Sequence, residues 1–245
     1  TRLVGSEMCI RDRSAGDASM ISIIIPVLNE EKNLSRLLHQ LTQLEGTVPY
    51  EVIVVDGGSQ DQTVAIAKKT AIVYQLENAN RGAQLNYGAE RSTGDILWFL
   101  HSDSRFEASP KLLEQIQTAL NDERFSAGFF KLAFDSSELF YRYLAVTSNL
   151  RARYLGLIFG DQGLFTTRKF YEQAGKFEAI PLMEDWKLSR QLKRLGEFYP
   201  LPLSLTTSSR RFSKGKLRTH LKMHKIKILY VMGMPPEKLV KLYYK

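Results

Sequence analysis

Strand-like and helix-like segments alternate between Ile21 and Leu120, and this rhythm limits the fold more than any other feature of the chain. Ile21 to Val27 is a mostly β-branched run, and the segment after it repeats leucine at helical spacing, at Leu34, Leu37, Leu38 and Leu41. Further strand-like runs cover 51–55, 71–76 and 95–100, with helix-like stretches between them. Because parallel strands need long crossover connections, this alternation predicts a Rossmann-like α/β fold, a mostly parallel sheet flanked by helices.

Beyond Leu120 the pattern becomes mixed. Residues 127–134 alternate like an antiparallel strand, 139–159 form a long aromatic-rich helical stretch, 163–167 a short strand and 185–195 a helix stopped by Gly196. Ser109 and Pro110 predict the start of the helix that runs to about Leu120, before this mixed part. We therefore expect one domain over residues 20–212, with a nucleotide-binding half at 20–104, an acceptor half at 105–212 and a basic helical segment at 213–245.

Positive charge is concentrated near the C-terminus. The chain has a net charge of +8, and residues 186–245 contain 15 Lys and Arg against two acidic residues. This asymmetry indicates an anionic partner: a phosphorylated substrate, an anionic membrane surface or a nucleic acid, of which nucleic acid is not expected. A merely solvated basic face is the alternative. Residues 214–227 space basic residues with Leu217 and Leu221 along a candidate amphipathic helix, which would dock on anionic lipid or cover the nucleotide cleft.

Residues 1–19 do not resemble part of a fold. They have no helical or strand periodicity and no apolar signal-peptide core, so we interpret them as a non-native or disordered leader. Cys9 is the single cysteine, which rules out an internal disulfide and fits a reducing compartment. No apolar run approaches the roughly 20 residues of a membrane span. The expected location is cytoplasmic, with peripheral attachment to the inner face of the membrane as a further candidate.

Three acidic residues follow apolar runs or begin a helix. Asp56 ends the second strand-like run, Asp103 follows the fourth, and Asp185 opens a helix-like stretch. In open parallel sheets, ligands bind at the carboxyl ends of the strands, so carboxylates there are well placed to meet a ligand. The chain has no G-x-G-x-x-G after its first strand and no P-loop motif, which removes the main support for ordinary dinucleotide or P-loop binding.

Two segments then carry a resemblance to a known family. Pro26-Val27-Leu28-Asn29-Glu30 and the segment 54–63, Val-Val-Asp-Gly-Gly-Ser-Gln-Asp-Gln-Thr, resemble the opening signatures of family 2 glycosyltransferases with the GT-A fold. The resemblance implies a nucleotide site at Pro26, Asn29, Glu30, Asp56 and Ser59. Helix capping by Asn29 and Glu30, and turn formation by Ser59 and Asp61, remain open alternatives. Gly57 stands where the family usually has a second aspartate.

The same resemblance implies a metal and a base. Asp103 falls at the family's Asp-x-Asp position, here His101-Ser102-Asp103, and would bind Mg²⁺ or Mn²⁺ with the substrate diphosphate. Glu184-Asp185 is similar to the family's Glu-Asp motif, which implies that Asp185 is the general base. Capping of the helix by these acidic residues is the alternative.

Three arginines complete the predicted site. Arg81 lies where the family often places a basic residue near the nucleotide, and Arg210 and Arg211 lie where related enzymes have a phosphate loop. Together with Glu184, the last two are candidates for contact with the diphosphate or the acceptor, and the turn 160–163 is a candidate acceptor lining. The expected function is metal-assisted, inverting transfer from a nucleotide-diphosphate sugar to an acceptor hydroxyl. Nucleotidyl transfer and a non-enzymatic module that binds anionic surfaces are the alternatives.

Overall fold

The computed structural model describes residues 19–44, 46–107, 109, 111–213 and 215–244. These residues contain a seven-stranded sheet. Its strands are β1 (Ile21–Val27), β2 (Tyr50–Asp56), β3 (Ile72–Gln75), β4 (Ile96–Phe99), β5 (Phe125–Phe134), β6 (Phe165–Thr167) and β7 (Glu197–Thr207). The helices are α1 (Glu31–Thr42), α2 (Thr63–Ala67), α3 (Arg81–Arg91), α4 (Leu112–Leu120), α5 (Leu139–Leu155), α6 (Arg168–Gln173), α7 (Glu184–Leu195), α8 (Lys216–Val231) and α9 (Pro236–Tyr244). Two short 3-10 helices cover Gly160–Gln162 and Ser209–Phe212.

The strand order confirms a mostly parallel sheet with helical crossovers. The order is β3-β2-β1-β4-β6-β5-β7. β1 pairs in parallel with both β2 and β4, and β2 pairs in parallel with β3. β6 runs antiparallel to its neighbours β4 and β5, whereas β5 and β7 are parallel. The predicted antiparallel character of β5 is therefore true only of its pairing with β6.

Helices cover both faces of the sheet, and β1 is therefore buried on both sides. Ile21, Ile23 and Ile25 pack in one core cluster with the leucines of α1 and with Trp98. Ile24 points to the opposite face and belongs to a second cluster, which contains Leu85 of α3 and residues of α7. This two-sided burial explains why β1 is continuously apolar rather than alternating.

Strand β7 is absent from the sequence-based expectation. Pro200 and Pro202 interrupt its pattern, and proline normally argues against a strand because it cannot donate a ladder hydrogen bond. Here β7 is the last strand in the sheet order, and its pairing with β5 shifts register between Phe130 and Lys131. An edge position with an irregular register tolerates proline, which is why the prolines in this segment wrongly argued against a strand.

Several predicted boundaries change for local reasons. The helix expected over 139–159 ends at Leu155, because Gly156 adopts a left-handed conformation with φ 60°. The helix expected to start at Ser109 and Pro110 begins at Leu112. Pro110 itself lies outside the described residues. The predicted leader and Cys9 also lie outside them, up to residue 18. The division at residues 104 and 212 stays a prediction.

Helix α8, which precedes the last helix α9, packs against α5. Tyr141 and Leu144 of α5 form a small apolar cluster with Phe212, and Met223 of α8 packs against it. This cluster joins α8 to the short 3-10 helix that carries Arg210 and Arg211. Within the part of the chain that the structure describes, no helix is both long enough and apolar enough to cross a membrane.

Candidate active site

The ends of β1, β2 and β4 bring the first two acidic residues to one edge of the sheet. Val27, the last residue of β1, is in register with Asp56, and Ile24 is in register with Phe99 at the end of β4. Asp103 follows Phe99 by one short turn. The predicted gathering of strand-end carboxylates is thus present at the carboxyl edge, where open α/β sheets bind ligands.

The loops after β1 and β2 are fastened to each other by Asn29 and Ser59. The Asn29 backbone N–H donates to Ser59 Oγ at 2.8 Å, and the Gln60 N–H donates to Asn29 Oδ1 at 2.8 Å. Asn29 has φ 53°, and Glu30 rather than Asn29 occupies the N-cap position of α1, so capping by Asn29 is wrong. Asp61 does organise the next turn, since its Oδ1 accepts from the Thr63 N–H at 3.0 Å.

Asp56 is completely buried, and its two carboxylate oxygens have different surroundings. Oδ2 accepts the backbone N–H groups of Gly58 and Ser59, both at 3.0 Å. Oδ1 is buried and has no hydrogen-bond partner among the described residues. A buried acceptor without a partner is costly, so a donor group on a ligand would satisfy it.

The departure at Gly57 has a structural counterpart in Gln84. The Gln84 side-chain amide donates to the carbonyls of Val27 at 2.9 Å and Val55 at 2.8 Å, joining the ends of β1 and β2. A Cβ on Gly57 would lie 3.0 Å from Gln84 Nε2. The glycine therefore leaves room for a buried amide beneath the loop after β2, where an aspartate side chain would crowd it.

Arg210 links the first loop to the predicted metal residue. Its Nη2 donates to Glu30 Oε1 at 2.7 Å and lies 3.9 Å from Asp103 Oδ2. Burial raises the pKa of Asp103, while the positive charge of Arg210 opposes that shift. Glu30, Asp103 and Arg210, which are far apart in sequence, therefore form one charged cluster at the edge of the sheet. Pro26, by contrast, is buried inside β1, in register with Val55.

The oxygen donors at this edge suit a divalent cation that is shared with a substrate. No group of three His, Cys, Asp or Glu side chains able to hold a metal occurs among the described residues. The Asp103 carboxylate supplies hard oxygen ligands, and Mg²⁺ is commonly held by one or two carboxylates together with substrate phosphates and water. The side chains therefore fit a cation that arrives with a diphosphate, and they do not form a complete protein cage.

Asp185 and Glu184 at the start of α7 share Arg81. Arg81 Nη2 donates to Asp185 Oδ2 at 2.9 Å, and its Nε donates to Glu184 Oε1. The Gly160 N–H also donates to Asp185 Oδ2, at 3.0 Å. Glu184 is 2% exposed and Asp185 8% exposed. Burial and the neighbouring Asp185 raise the pKa of Glu184, against the charge of Arg81. Two donors thus hold one oxygen of Asp185.

Arg81 therefore lies on the acceptor side of the predicted site. Burial would lower the pKa of its guanidinium, but Asp185 and Glu184 raise it above its ordinary value. Its predicted contact with the nucleotide stays a prediction. The structure gives Arg81 a positioning task that sequence position did not reveal, namely to orient the carboxylate of Asp185.

His101 completes the Asp185 network. Its Nε2 lies 3.2 Å from Arg81 Nη1, and a Cβ on Gly160 would lie 2.1 Å from the same atom. Burial, followed by the charges of Arg81 and Arg211, lowers the pKa of His101 well below its usual value. The neutral ring can accept from Arg81 through Nε2. His101 thus supports Asp185 indirectly, and Gly160 leaves space for its ring.

A small pocket opens beside Asp185. His101, Phe159, Gly160 and Asp185 lie in its wall.

Arg211 is exposed and has no carboxylate within 4.0 Å among the described residues, yet its positive charge acts on His101, Asp103 and Asp161. The predicted metal residue Asp103 and the pocket residue His101 therefore share the field of one arginine.

Sequence reasoning missed four side chains near this pocket. They are Gln84, which joins the strand ends, His101, whose supporting place was expected but whose partner Arg81 was not, and the cations Arg151 and Lys227, which contact Phe159. A glutamine or lysine on a helix gives no local signal of such a role. Gly57 was the one sequence signal of this kind, because its lack of a side chain indicates that a neighbour, here Gln84, packs closely against the loop.

Comparisons with known proteins place the chain among sugar-transferring enzymes. A sequence model described as Glycosyl transferase family 2 matches residues 22–179, which include Asp56 and Asp103 and end before Asp185. Glycosyltransferase AglE of Haloferax volcanii is 42% identical over 91 residues, 34% of this chain and 30% of that protein. Dolichyl-phosphate beta-glucosyltransferase of Drosophila melanogaster is 31% identical over 129 residues, 44% of this chain and 40% of that protein. The matches span less than half the length of these relatives.

Two solved structures share the fold. Mannosyltransferase PcManGT from Pyrobaculum calidifontis, in complex with GDP-Man and Mn²⁺, superposes with a TM-score of 0.67 at 16% identity, covering 93% of this chain and 69% of that one. Glucosyl-3-phosphoglycerate synthase from Mycobacterium tuberculosis, in complex with Mn²⁺, UDP and glucosyl-3-phosphoglycerate, has a TM-score of 0.61 at 22% identity, covering 89% and 81%. At these identities the likeness concerns the fold.

Proposed function

Since the chain belongs to glycosyl transferase family 2, we propose that it transfers a sugar from a nucleoside diphosphate sugar to an acceptor hydroxyl with inversion. The observation that carries this proposal is the Asp185 carboxylate, which is buried beside a pocket and held through one oxygen by Arg81 and Gly160. A single fixed carboxylate is what an inverting transfer needs to take the acceptor proton. Nucleotidyl transfer would favour two metal-binding carboxylates close together, and at this edge Glu30, which shares Arg210 with Asp103, is occupied by its hydrogen bond to Arg210.

The nucleotide would lie over the loops that follow β1 and β2. Asp56 Oδ1, which has no partner, would accept a hydrogen bond from the base or ribose. Asn29 and Ser59 hold the two loops together, so their contribution is to keep that oxygen in place. Glu30 and Pro26 belong to the same loop and strand, and their contact with the nucleotide is part of the proposal.

The diphosphate would lie between Asp103 and the two arginines of the 3-10 helix. Asp103 would hold a Mg²⁺ or Mn²⁺ ion, which when bound neutralises negative charge on the diphosphate oxygens. Arg210 already lies 3.9 Å from Asp103, and Arg211 acts on the same carboxylate. Their guanidinium groups would stabilise the leaving nucleoside diphosphate, since they match phosphate oxygens bidentately.

In the proposed transfer step, one bond forms, one bond breaks and Asp185 takes one proton. The acceptor oxygen forms a bond to the anomeric carbon as the bond from that carbon to the diphosphate oxygen breaks, and the diphosphate leaves with the electron pair. Asp185 takes the hydroxyl proton, which the oxygen not held by Arg81 and Gly160 is free to receive. Attack from the face opposite the leaving group inverts the anomeric configuration.

A ligand screen tests the proposed donor. We expect one nucleoside diphosphate sugar to raise the melting temperature by about 5 to 10 °C with Mn²⁺, since saturation at about 100 times Kd stabilises by about 2.7 kcal/mol. The measurement is thermal unfolding of the full chain with a panel of donors, with Mn²⁺ or with a chelator, and Mn²⁺ alone is the control. A panel in which no nucleotide shifts the melting temperature would favour the anionic-surface binding module instead.

A membrane surface is the proposed setting for this reaction. Helix α5 has a stripe of exposed apolar side chains, and α8 has another; their members are Leu139, Tyr143, Val146, Leu150 and Tyr154, and Leu217, Leu221, Ile228 and Val231. The two helices are adjacent, since the rings of Tyr143 and His220 lie 6.0 Å apart. Exposed Arg142, Arg153, Arg218 and Lys225 lie on the same two helices. Apolar stripes with basic residues suit the interface of an anionic bilayer.

Vesicle binding tests this setting. We expect the full chain to sediment with phosphatidylglycerol vesicles at low salt and to be released at high salt, because the basic residues are screened. Val146→Glu should weaken binding about tenfold, since it removes an exposed apolar side chain that would enter the bilayer and adds a negative charge. Thr70→Glu, an exposed position on a distant turn, is the charge-matched control. Dimerisation without vesicle binding, abolished by Val146→Glu, would assign this face to a second copy.

A further inference from the structure

Two cations converge on the ring of Phe159, next to the proposed active site. Arg151 of α5 places its Cζ 4.0 Å from the ring centroid, and Lys227 of α8 places its Nζ 5.0 Å from it. The Arg151 guanidinium is also fixed by donation to Leu157 O and Gln162 Oε1, each at 3.0 Å. These contacts hold two positive charges in defined positions.

Neither cation has an acidic partner within reach. Among the described residues, no carboxylate oxygen lies within 4.0 Å of Arg151 or Lys227, although many other arginines and lysines have such a partner. Burial, followed by the positive charge of Arg151, lowers the pKa of Lys227 to about 8. Burial likewise lowers the pKa of Arg151. Partly buried charges without a counter-ion are costly, so an anion bound there would offset the cost.

Asp161 is the acidic group that interacts with both cations, and it does not neutralise them. It forms no ion pair within 4.0 Å with either, and its Oδ1 is buried without a hydrogen-bond partner among the described residues. Burial raises the pKa of Asp161, against the charges of Arg151 and Arg211. Asp161 therefore leaves both cations without a hydrogen-bonded counter-ion in the described part of the chain.

The ring of Phe159, which both cations contact, is linked to the proposed base Asp185 in two ways. Phe159 precedes Gly160, whose N–H donates to Asp185 Oδ2 at 3.0 Å. The Phe159 ring is also 6.0 Å from the ring of Trp186, the residue that follows Asp185. A group held by the two cations would therefore lie beside the hydroxyl that Asp185 deprotonates.

We propose that Arg151 and Lys227 form a subsite for a phosphoryl group carried by the sugar acceptor. This inference rests on the proposed glycosyl transfer and adds the chemical class of the acceptor. A phosphate monoester carries up to two negative charges, which matches two cations better than a carboxylate does, and guanidinium groups bind phosphate oxygens bidentately. The phosphoryl group belongs either to a water-soluble phosphorylated alcohol or to a lipid headgroup, since both present the same anion. Arg151 and Lys227 bind and orient the acceptor without taking its proton.

Two phosphate-bearing probes test the subsite in the full chain. Glycerol 3-phosphate is the soluble probe, and vesicles with and without phosphatidic acid in phosphatidylcholine are the lipid probe. We expect at least one probe to bind, and Lys227→Met to weaken that binding about tenfold, as expected for loss of one charge-assisted hydrogen bond. Lys225→Met removes an exposed lysine from the same helix and should leave the affinity unchanged. Lys227→Arg keeps the charge and should restore most of it.

The outcomes separate this inference from the proposed function. Binding of the nucleoside diphosphate with Mn²⁺ is measured in every variant and should not change in Lys227→Met, which also shows that the variant is folded. Binding of glycerol 3-phosphate assigns the soluble source, and lysine-dependent binding of phosphatidic acid alone assigns the lipid source. The subsite is refuted if neither probe binds while the nucleotide does, or if Lys227→Met and Lys225→Met weaken binding equally. Failure of the nucleotide to bind would instead contradict the proposed function.

Discussion

Asp185→Asn is expected to lower the rate of donor turnover by about 10²- to 10⁴-fold, the range that general base catalysis contributes. The asparagine has the same shape, and its amide oxygen can still accept from Arg81 and from the Gly160 N–H, so the pocket keeps its geometry. What is lost is the ability to take a proton. Affinity for the nucleotide should change little, because the nucleotide loops lie at the ends of β1 and β2.

The measurement is the initial rate of nucleoside diphosphate release from the donor found in the screen, with water or glycerol 3-phosphate as acceptor. Calorimetry gives the nucleotide affinity of the same variant. Asp122→Asn is the control, since Asp122 is an exposed carboxylate that pairs with Arg124 in the turn before β5. The anomeric configuration of the first sugar product, followed by proton NMR, tests inversion. Wild-type turnover in Asp185→Asn would remove Asp185 from the role of base.

Asp103→Ala is expected to abolish the dependence of nucleotide binding on Mn²⁺ and to lower turnover by about 10²-fold or more, since metal stabilisation of developing charge contributes several kcal/mol. Asp103 is the predicted hard ligand at this edge, and no complete cage among the described residues could replace it. The fold should persist, because Arg210 keeps its hydrogen bond to Glu30 at 2.7 Å.

Calorimetric titration of the nucleoside diphosphate with Mn²⁺ and with a chelator checks this expectation. In the wild-type chain the two titrations should differ, and in Asp103→Ala they should coincide. Asp122→Ala serves as a matched loss of one carboxylate at an exposed position. An Mn²⁺ dependence that survives unchanged in Asp103→Ala would show that the cation is held elsewhere. Because the two aspartates have different tasks, the variants are expected to differ: one loses turnover alone, and the other also loses metal-dependent binding.

The parallel half of the sheet could be predicted because its signals are local. The β-branched run 21–27 and the leucine spacing of α1 each follow from which faces are buried, and the GT-A fold implied by the motifs at 26–30 and 54–63 is confirmed by the solved structures that superpose on this chain. Strand β7 was missed because Pro200 and Pro202 mask a strand that only an edge position permits. Local pattern cannot tell an edge strand from a loop.

The acidic residues show where prediction by sequence stops. Their placement at strand and helix ends follows from the order of the elements, and that order was readable. Their partners were not: Arg81, predicted near the nucleotide, binds Asp185 across 104 positions of sequence, and Arg210 reaches Glu30 across 180. Asn29, for which helix capping was the alternative to nucleotide binding, does not cap α1 and instead fastens one loop to another.

The amino-acid sequence by itself therefore determined the parallel half of the sheet, its carboxyl edge and the three carboxylates at Asp56, Asp103 and Asp185, because periodicity and turn chemistry act over a few residues. Only the tertiary structure decided which oxygen of each carboxylate is held and which charges lack a partner. Those properties depend on side chains brought together from distant segments, as Arg151 and Lys227 are at Phe159. Burial then sets the energetic consequence, since a charge without a counter-ion matters most where water is excluded.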